Sequence, residues 1–193
     1  MKNLAVTISA ILVLVFSFSA QAVSTDNGSK SAQHDIKVGI SKHSLIGLSS
    51  EDAITLEPAA PEVAGKGLNF DVESASDNSL WLNYSSITGN GSNSISVSMT
   101  GDKLPSGVTI ELVAGDDSGK GKGKAGQSNN QKIELSNSPK TVVSNIGNCY
   151  TGTGSGSGHQ MTYTLKMNEN GDNYEKLTSG NFTNTITYTI TDN

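Results

Sequence analysis

Apolar side chains recur at every second position in several short runs of this chain. Ile95, Val97 and Met99 alternate with Ser94, Ser96 and Ser98, and Val108, Ile110 and Leu112 alternate with Thr109 and Glu111. Met161, Tyr163, Leu165 and Met167 alternate with Thr162, Thr164 and Lys166. The clearest run is TNTITYTIT near the C-terminus, with Ile186, Tyr188 and Ile190 on one face and Thr185, Thr187 and Thr189 on the other. Ile36, Val38 and Ile40 follow the same rule. A period of two, with threonine and serine on the wet face, predicts half-buried antiparallel strands. Less regular strands are expected over Ala53–Leu56, Leu68–Val72, Leu80–Tyr84, Lys132–Leu135 and Thr141–Ile146.

From Asp35 onward no stretch of about eleven or more residues carries a sustained helical apolar face. Ser49 to Ala53 suggests a turn at most. About nine or ten short strands at spacings of roughly ten residues predict an all-β, antiparallel two-sheet sandwich. The connections agree. Leu104-Pro105-Ser106-Gly107 places proline where φ is preset and glycine where a positive φ costs little. Asn170-Gly171-Asp172 is a second tight turn. Residues 114–131, AGDDSGKGKGKAGQSNNQ, have the composition of a solvated loop. Trp81, between two leucines, is expected to fill the core.

The first residues alter the reading of the whole. Lys2 is followed by an apolar run from Leu4 to Phe18 and then by Ala20-Gln21-Ala22. A basic start, a short apolar centre and an A-x-A end predict a cleavable secretory signal peptide over 1–22, cut after Ala22. Residues 23–34 are small and polar and read as a flexible mature N-terminus. Residues 35–193 then form a single sandwich domain. The expected location is secreted or extracytoplasmic, in the periplasm or on the outer cell surface. After signal cleavage no transmembrane segment is expected.

Charge narrows the classes. There are 18 acidic residues against 13 basic ones, and every basic one is lysine. Without arginine, bidentate contacts to phosphate and guanine are missing, so nucleic acid is not an expected partner. The single cysteine, Cys149, cannot form an internal disulfide.

Candidate chemistry is concentrated in CYTGTGSGSGH, residues 149–159. Cys149 and His159 could meet across a hairpin as nucleophile and base, but no orienting acid or amide lies near them in sequence. A phosphate cradle needs a helix after the glycines, where Met161–Met167 reads as a strand. Zinc needs three or four ligands, which Cys149 with the scattered His34, His43 and His159 does not supply. If extended, the stretch places Gly152, Gly154, Gly156 and Gly158 on one face. The simplest reading is a long hairpin loop. Asn168, Asn170 and Asp172 space oxygens as calcium loops do, yet the glycine is misplaced and the closing glutamate is missing. Asp116-Asp117 and Asp71/Glu73 read as solvated turns. No catalytic, cofactor or metal residue is assigned.

Three stretches, LWLNYSS (80–86), IGNCYTGTGSGSGHQMTYTLKM (146–167) and NTITYTITDN (184–193), resemble small exported all-β proteins of Gram-negative bacteria of uncharacterised function. The resemblance implies an immunoglobulin-like or adhesin-like sandwich and brings no catalytic residues. TITYTITDN also resembles the closing strand of WxL surface domains, which bind cell walls; the Trp-x-Leu pairs are absent, Trp81 being followed by Leu82 and Asn83. In its export signal, its alternating last strand and Gly180, fourteenth from the end, the chain is similar to chaperone–usher pilins. Asp192 stands where those have a penultimate tyrosine.

The expected function is an exported, non-enzymatic structural or binding module, surface-associated or secreted. The expected partners are other surface proteins, cell-wall or glycan ligands, or copies of itself. The alternative is a fimbrial subunit that assembles by exchange of its N-terminal strand, DIKVGI. A small secreted hydrolase is a third reading.

Overall fold

The computed structural model describes residues 31, 33–168 and 173–192. The signal peptide expected over 1–22, most of the expected flexible segment, and the Asn170-Gly171-Asp172 turn lie outside the described residues. Two units are distinguished, Met1–Gly39 and Ile40–Asn193. The described residues of the first are exposed and form neither helix nor strand.

The second unit is a two-sheet β-sandwich. Its strands are β1 His43–Leu48, β2 Ser76–Asp77, β3 Trp81–Ile87, β4 Asn93–Gly101, β5 Val108–Asp117 and β6 Lys122–Gly123. They continue as β7 Gln127–Ser128, β8 Ile133–Glu134, β9 Lys140–Ile146, β10 Cys149–Tyr150, β11 His159–Met167 and β12 Asn184–Asp192. One sheet runs β6-β10-β3-β11-β5-β8, with β1 also on β3 and β2 on β11; the other runs β12-β4-β9-β7. Every pairing is antiparallel. Among the described residues the only helical turns are 3-10 turns at Glu73–Ala75 and Tyr174–Lys176, and no helix is long and apolar enough to cross a membrane.

Alternation explains the packing. Leu82, Leu112, Ala114 and Met161 from the larger sheet are fully buried against Ile95, Val97, Val142 and Val143 from the smaller one. A buried aliphatic side chain of this size contributes about 1.5–3 kcal/mol. Val142 and Val143 are neighbours, yet both face inward. The β4–β9 ladder shifts register beside them, and the extra residue turns both side chains to the core. Asn145, with φ 57°, absorbs a second shift. Two polar links tie the sheets together. Asn93 Nδ2 donates to Ser44 Oγ at 2.7 Å and to Ser86 Oγ at 3.1 Å. The hydroxyls of Tyr163 and Tyr188 meet at 2.7 Å.

The strands expected from alternation at 95–99, 108–112, 161–167 and 183–191 are present as β4, β5, β11 and β12. The one expected over Ile36–Ile40 is not formed; Ile36, Val38 and Ile40 are 77%, 82% and 83% exposed. Alternation alone gives no strand without a partner to take its hydrogen bonds. Ala53–Leu56 is not a strand either, and Leu68–Val72 is reduced to one bridge, Asn69 with Ala59. Residues 114–131, expected as a loop, hold the end of β5, then β6 and β7. Trp81 is half-buried on the face of β3 opposite Leu82 and Tyr84, so it is not core filler.

Candidate functional site

The glycine ribbon joins β10 to β11. It is not extended. Gly152, Gly154, Gly156 and Gly158 have φ of 88°, 75°, 75° and 73°, in the left-handed region where an L side chain costs about 1–2 kcal/mol. The glycines therefore serve backbone handedness, and the expectation of one bare face is corrected. β3 clamps the ribbon. Thr151 N donates to Tyr84 O, and Tyr84 N donates to Thr151 Oγ1, both at 3.0 Å. Asn83 Nδ2 donates to Ser157 O at 2.6 Å, while Gly154 N donates to Asn83 Oδ1 at 2.8 Å. The far side is held by Ser118 N on Gly158 O at 2.8 Å.

Where the ribbon ends, His159 is 1% exposed. Its Nδ1 lies 2.8 Å from Gly115 O. That carbonyl is offered by a bulge: β11 skips a residue of β5 between the His159–Asp117 and Met161–Ala114 pairs. Its Nε2 lies 2.8 Å from Tyr84 Oη, and the two rings are stacked 5.8 Å apart at 7°. The Tyr84 hydroxyl donates its one proton to Ala125 O. Both ring nitrogens of His159 are thus occupied.

Cys149 is buried in β10, opposite Ser86 of β3 and Gly123 of β6. Burial, and then the charge of Asp117, push its thiol above the ordinary range. Cys149 therefore holds its proton more tightly than a free thiol, while the ring nitrogens of His159 face Gly115 O and Tyr84 Oη. We expect Cys149 to react with a disulfide reagent at about pH 8 roughly tenfold or more slower in the folded chain than in urea. Absorbance of the released thiolate checks this, and equal rates would contradict the burial.

The other candidates make contacts of their own. Lys166 Nζ meets Asp71 Oδ1 at 2.6 Å and holds that exposed carboxyl below its usual range. Asp116 accepts from Asn130 Nδ2 and Ser128 Oγ at 2.8 and 2.9 Å, which lowers its carboxyl likewise. Asp117 accepts from Gly119 N through one oxygen at 3.0 Å; its other oxygen is buried with no hydrogen-bond partner. Glu73 opens a 3-10 turn. Asn170 and Asp172 lie outside the described residues, and among those residues no group of three or more His, Cys, Asp or Glu side chains is placed to hold a metal ion. Sequence reasoning missed Tyr84 and Gly115 as the partners of His159. They lie far from it along the chain, and no spacing rule connects them.

Comparison of the chain with protein-family models, with curated proteins and with solved structures finds no match in any of the three.

Proposed function

We propose that the chain is an exported, non-enzymatic structural or binding module, secreted or surface-associated, that joins copies of itself by lending an N-terminal strand. The signal-like first 22 residues support export. The observation that carries the assembly reading is the exposure of Ile36, Val38 and Ile40, at 77%, 82% and 83%, on alternate positions of DIKVGI. Three β-branched side chains at strand spacing, held outside any sheet, are suited to completing a sheet elsewhere.

The test is light scattering during gel filtration of the processed chain, beginning at Val23. We expect oligomers that grow with concentration. Replacing Ile36, Val38 and Ile40 together by aspartate is expected to return a monomer with an unchanged melting temperature. A wild-type chain that stays monomeric at high concentration would remove the assembly reading.

A further inference from the structure

We propose that the glycine ribbon and Lys120 form a binding site for an oxyanion, that is, for a phosphate, sulfate or carboxylate group. The proposal adds a ligand site to the domain and does not depend on strand lending.

The site begins with Lys120, in the segment between β5 and β6. Its side chain runs along the ribbon. A Cβ added at Gly152 would lie 3.9 Å from Lys120 Cβ, and one added at Gly156 would lie 2.8 Å from Lys120 Nζ. The ammonium therefore stands where residue 156 would otherwise carry a side chain, and only glycine leaves it that room. Among the described residues Lys120 forms no ion pair and no hydrogen bond. The acids nearest in sequence are turned elsewhere. Asp117 has one oxygen on Gly119 N and the other buried, and Asp116 is held by Ser128 and Asn130.

Ser157 is a second and independent observation. It is only 5% exposed. Its backbone is fixed on both sides: N donates to Gly154 O at 3.3 Å, and O accepts from Asn83 Nδ2 at 2.6 Å. Its hydroxyl, in contrast, has no hydrogen-bond partner among the described residues. The Cβ point at Gly152 that lies 3.9 Å from Lys120 Cβ lies 3.1 Å from Ser157 Oγ. The hydroxyl thus faces the space that the lysine stem covers. A buried hydroxyl without a partner is costly, and a ligand oxygen would satisfy it.

The remaining donors are backbone amides. Ser155 and Gly156 form the turn closed by Ser157 N on Gly154 O, and among the described residues their own amides have no acceptor. An ammonium, a hydroxyl and turn amides make a set of donors around one positive charge. Its complement is a negatively charged group that only accepts. No helix follows the ribbon, so the donors come from a turn and two side chains rather than from a helix end. Lys122 and Tyr150, paired across β6 and β10 and both exposed, add a second positive charge and an aromatic ring beside the start of the ribbon. Lys124 packs along Gly147 instead.

The experiment titrates the isotope-labelled processed chain with sodium phosphate, sodium sulfate or sodium acetate, and follows the backbone amides by NMR. Sodium chloride at equal ionic strength is the control. We expect saturable shifts at Ser155, Gly156 and Ser157, with dissociation in the millimolar range. The salt that saturates them at the lowest concentration tells a tetrahedral oxyanion from a carboxylate. Lys120→Met should weaken binding about tenfold or more, and Ser157→Ala about threefold to tenfold. Lys124→Met removes the same charge away from the ribbon and should leave binding unchanged. Melting of each variant confirms that the fold is kept. Shifts that chloride reproduces, or a loss from Lys124→Met as large as that from Lys120→Met, overturn the site. Neither result touches the strand-lending reading.

Discussion

Gly158→Ala is expected to cost far more than Gly154→Ala, although the two glycines have nearly the same backbone conformation. At Gly154, with φ 75°, an added Cβ meets nothing within 4 Å. The cost there is that of the left-handed conformation, about 1–2 kcal/mol. At Gly158, with φ 73°, the same atom would lie 2.1 Å from the carbonyl oxygen of Leu82. Leu82 is fully buried in β3 and paired with Leu48 on one side and His159 on the other. It cannot withdraw without opening both ladders. Substitution at Gly158 should therefore cost roughly 4 kcal/mol or more, among the largest single-residue effects. Against a typical total stability of about 5–15 kcal/mol, that leaves the domain close to unfolding. Urea denaturation of both variants measures the difference. Equal losses would mean that the ribbon does not rest on β3 as described.

Legibility in the sequence followed burial. β4, β5, β11 and β12 were visible because each buries one face and wets the other, so their residue types alternate. β1 was not. Its inward Ser44, Ile46 and Leu48 are mixed in character, and its outward Leu45 is 68% exposed. Two-residue strands such as β6 and β10 are too short to carry a period at all. DIKVGI shows the converse: its alternation is as good as that of β4, yet it forms no strand.

The centre at His159 was legible only in part. The cysteine, the histidine and the glycines mark the stretch, but the acid that pairs with His159 across the sheet, Asp117, lies far from it in sequence. The reason the glycines are needed was misjudged. Alternation suggested a bare face, whereas the structure uses each glycine for the sign of φ, which residue spacing does not reveal. The partners of His159 come from a bulge in β5 and from β3, which meet only when the sheet closes.

Tyr84→Phe is expected to be costly near neutral pH and progressively less so in alkali. The hydroxyl serves Ala125 O and faces His159 Nε2 in a buried site. Without it, both groups lose their partner, at about 1–3 kcal/mol for each buried group left unsatisfied. The variant should melt roughly 5–15 °C lower at about pH 7.

The alkaline behaviour follows from linkage. Burial first, then the charges of Cys149 and Asp117, raise the Tyr84 hydroxyl above its ordinary value of 10.0. The folded chain therefore keeps a proton that the unfolded chain releases as pH rises through about 10. This contribution is complete below that pH and is lost above it, at about 1.4 kcal/mol per pH unit for each such proton. Burial also raises Cys149, Tyr163 and Tyr188, so the wild type should lose stability from about pH 9 upward. Tyr84→Phe removes one of those protons, and its deficit should narrow by that amount per unit above about pH 10. Urea titrations of both proteins at about pH 7, 9 and 10.5 give the comparison. A deficit that stays constant or widens would show that Tyr84 does not hold its proton between β3, His159 and the 118–126 segment.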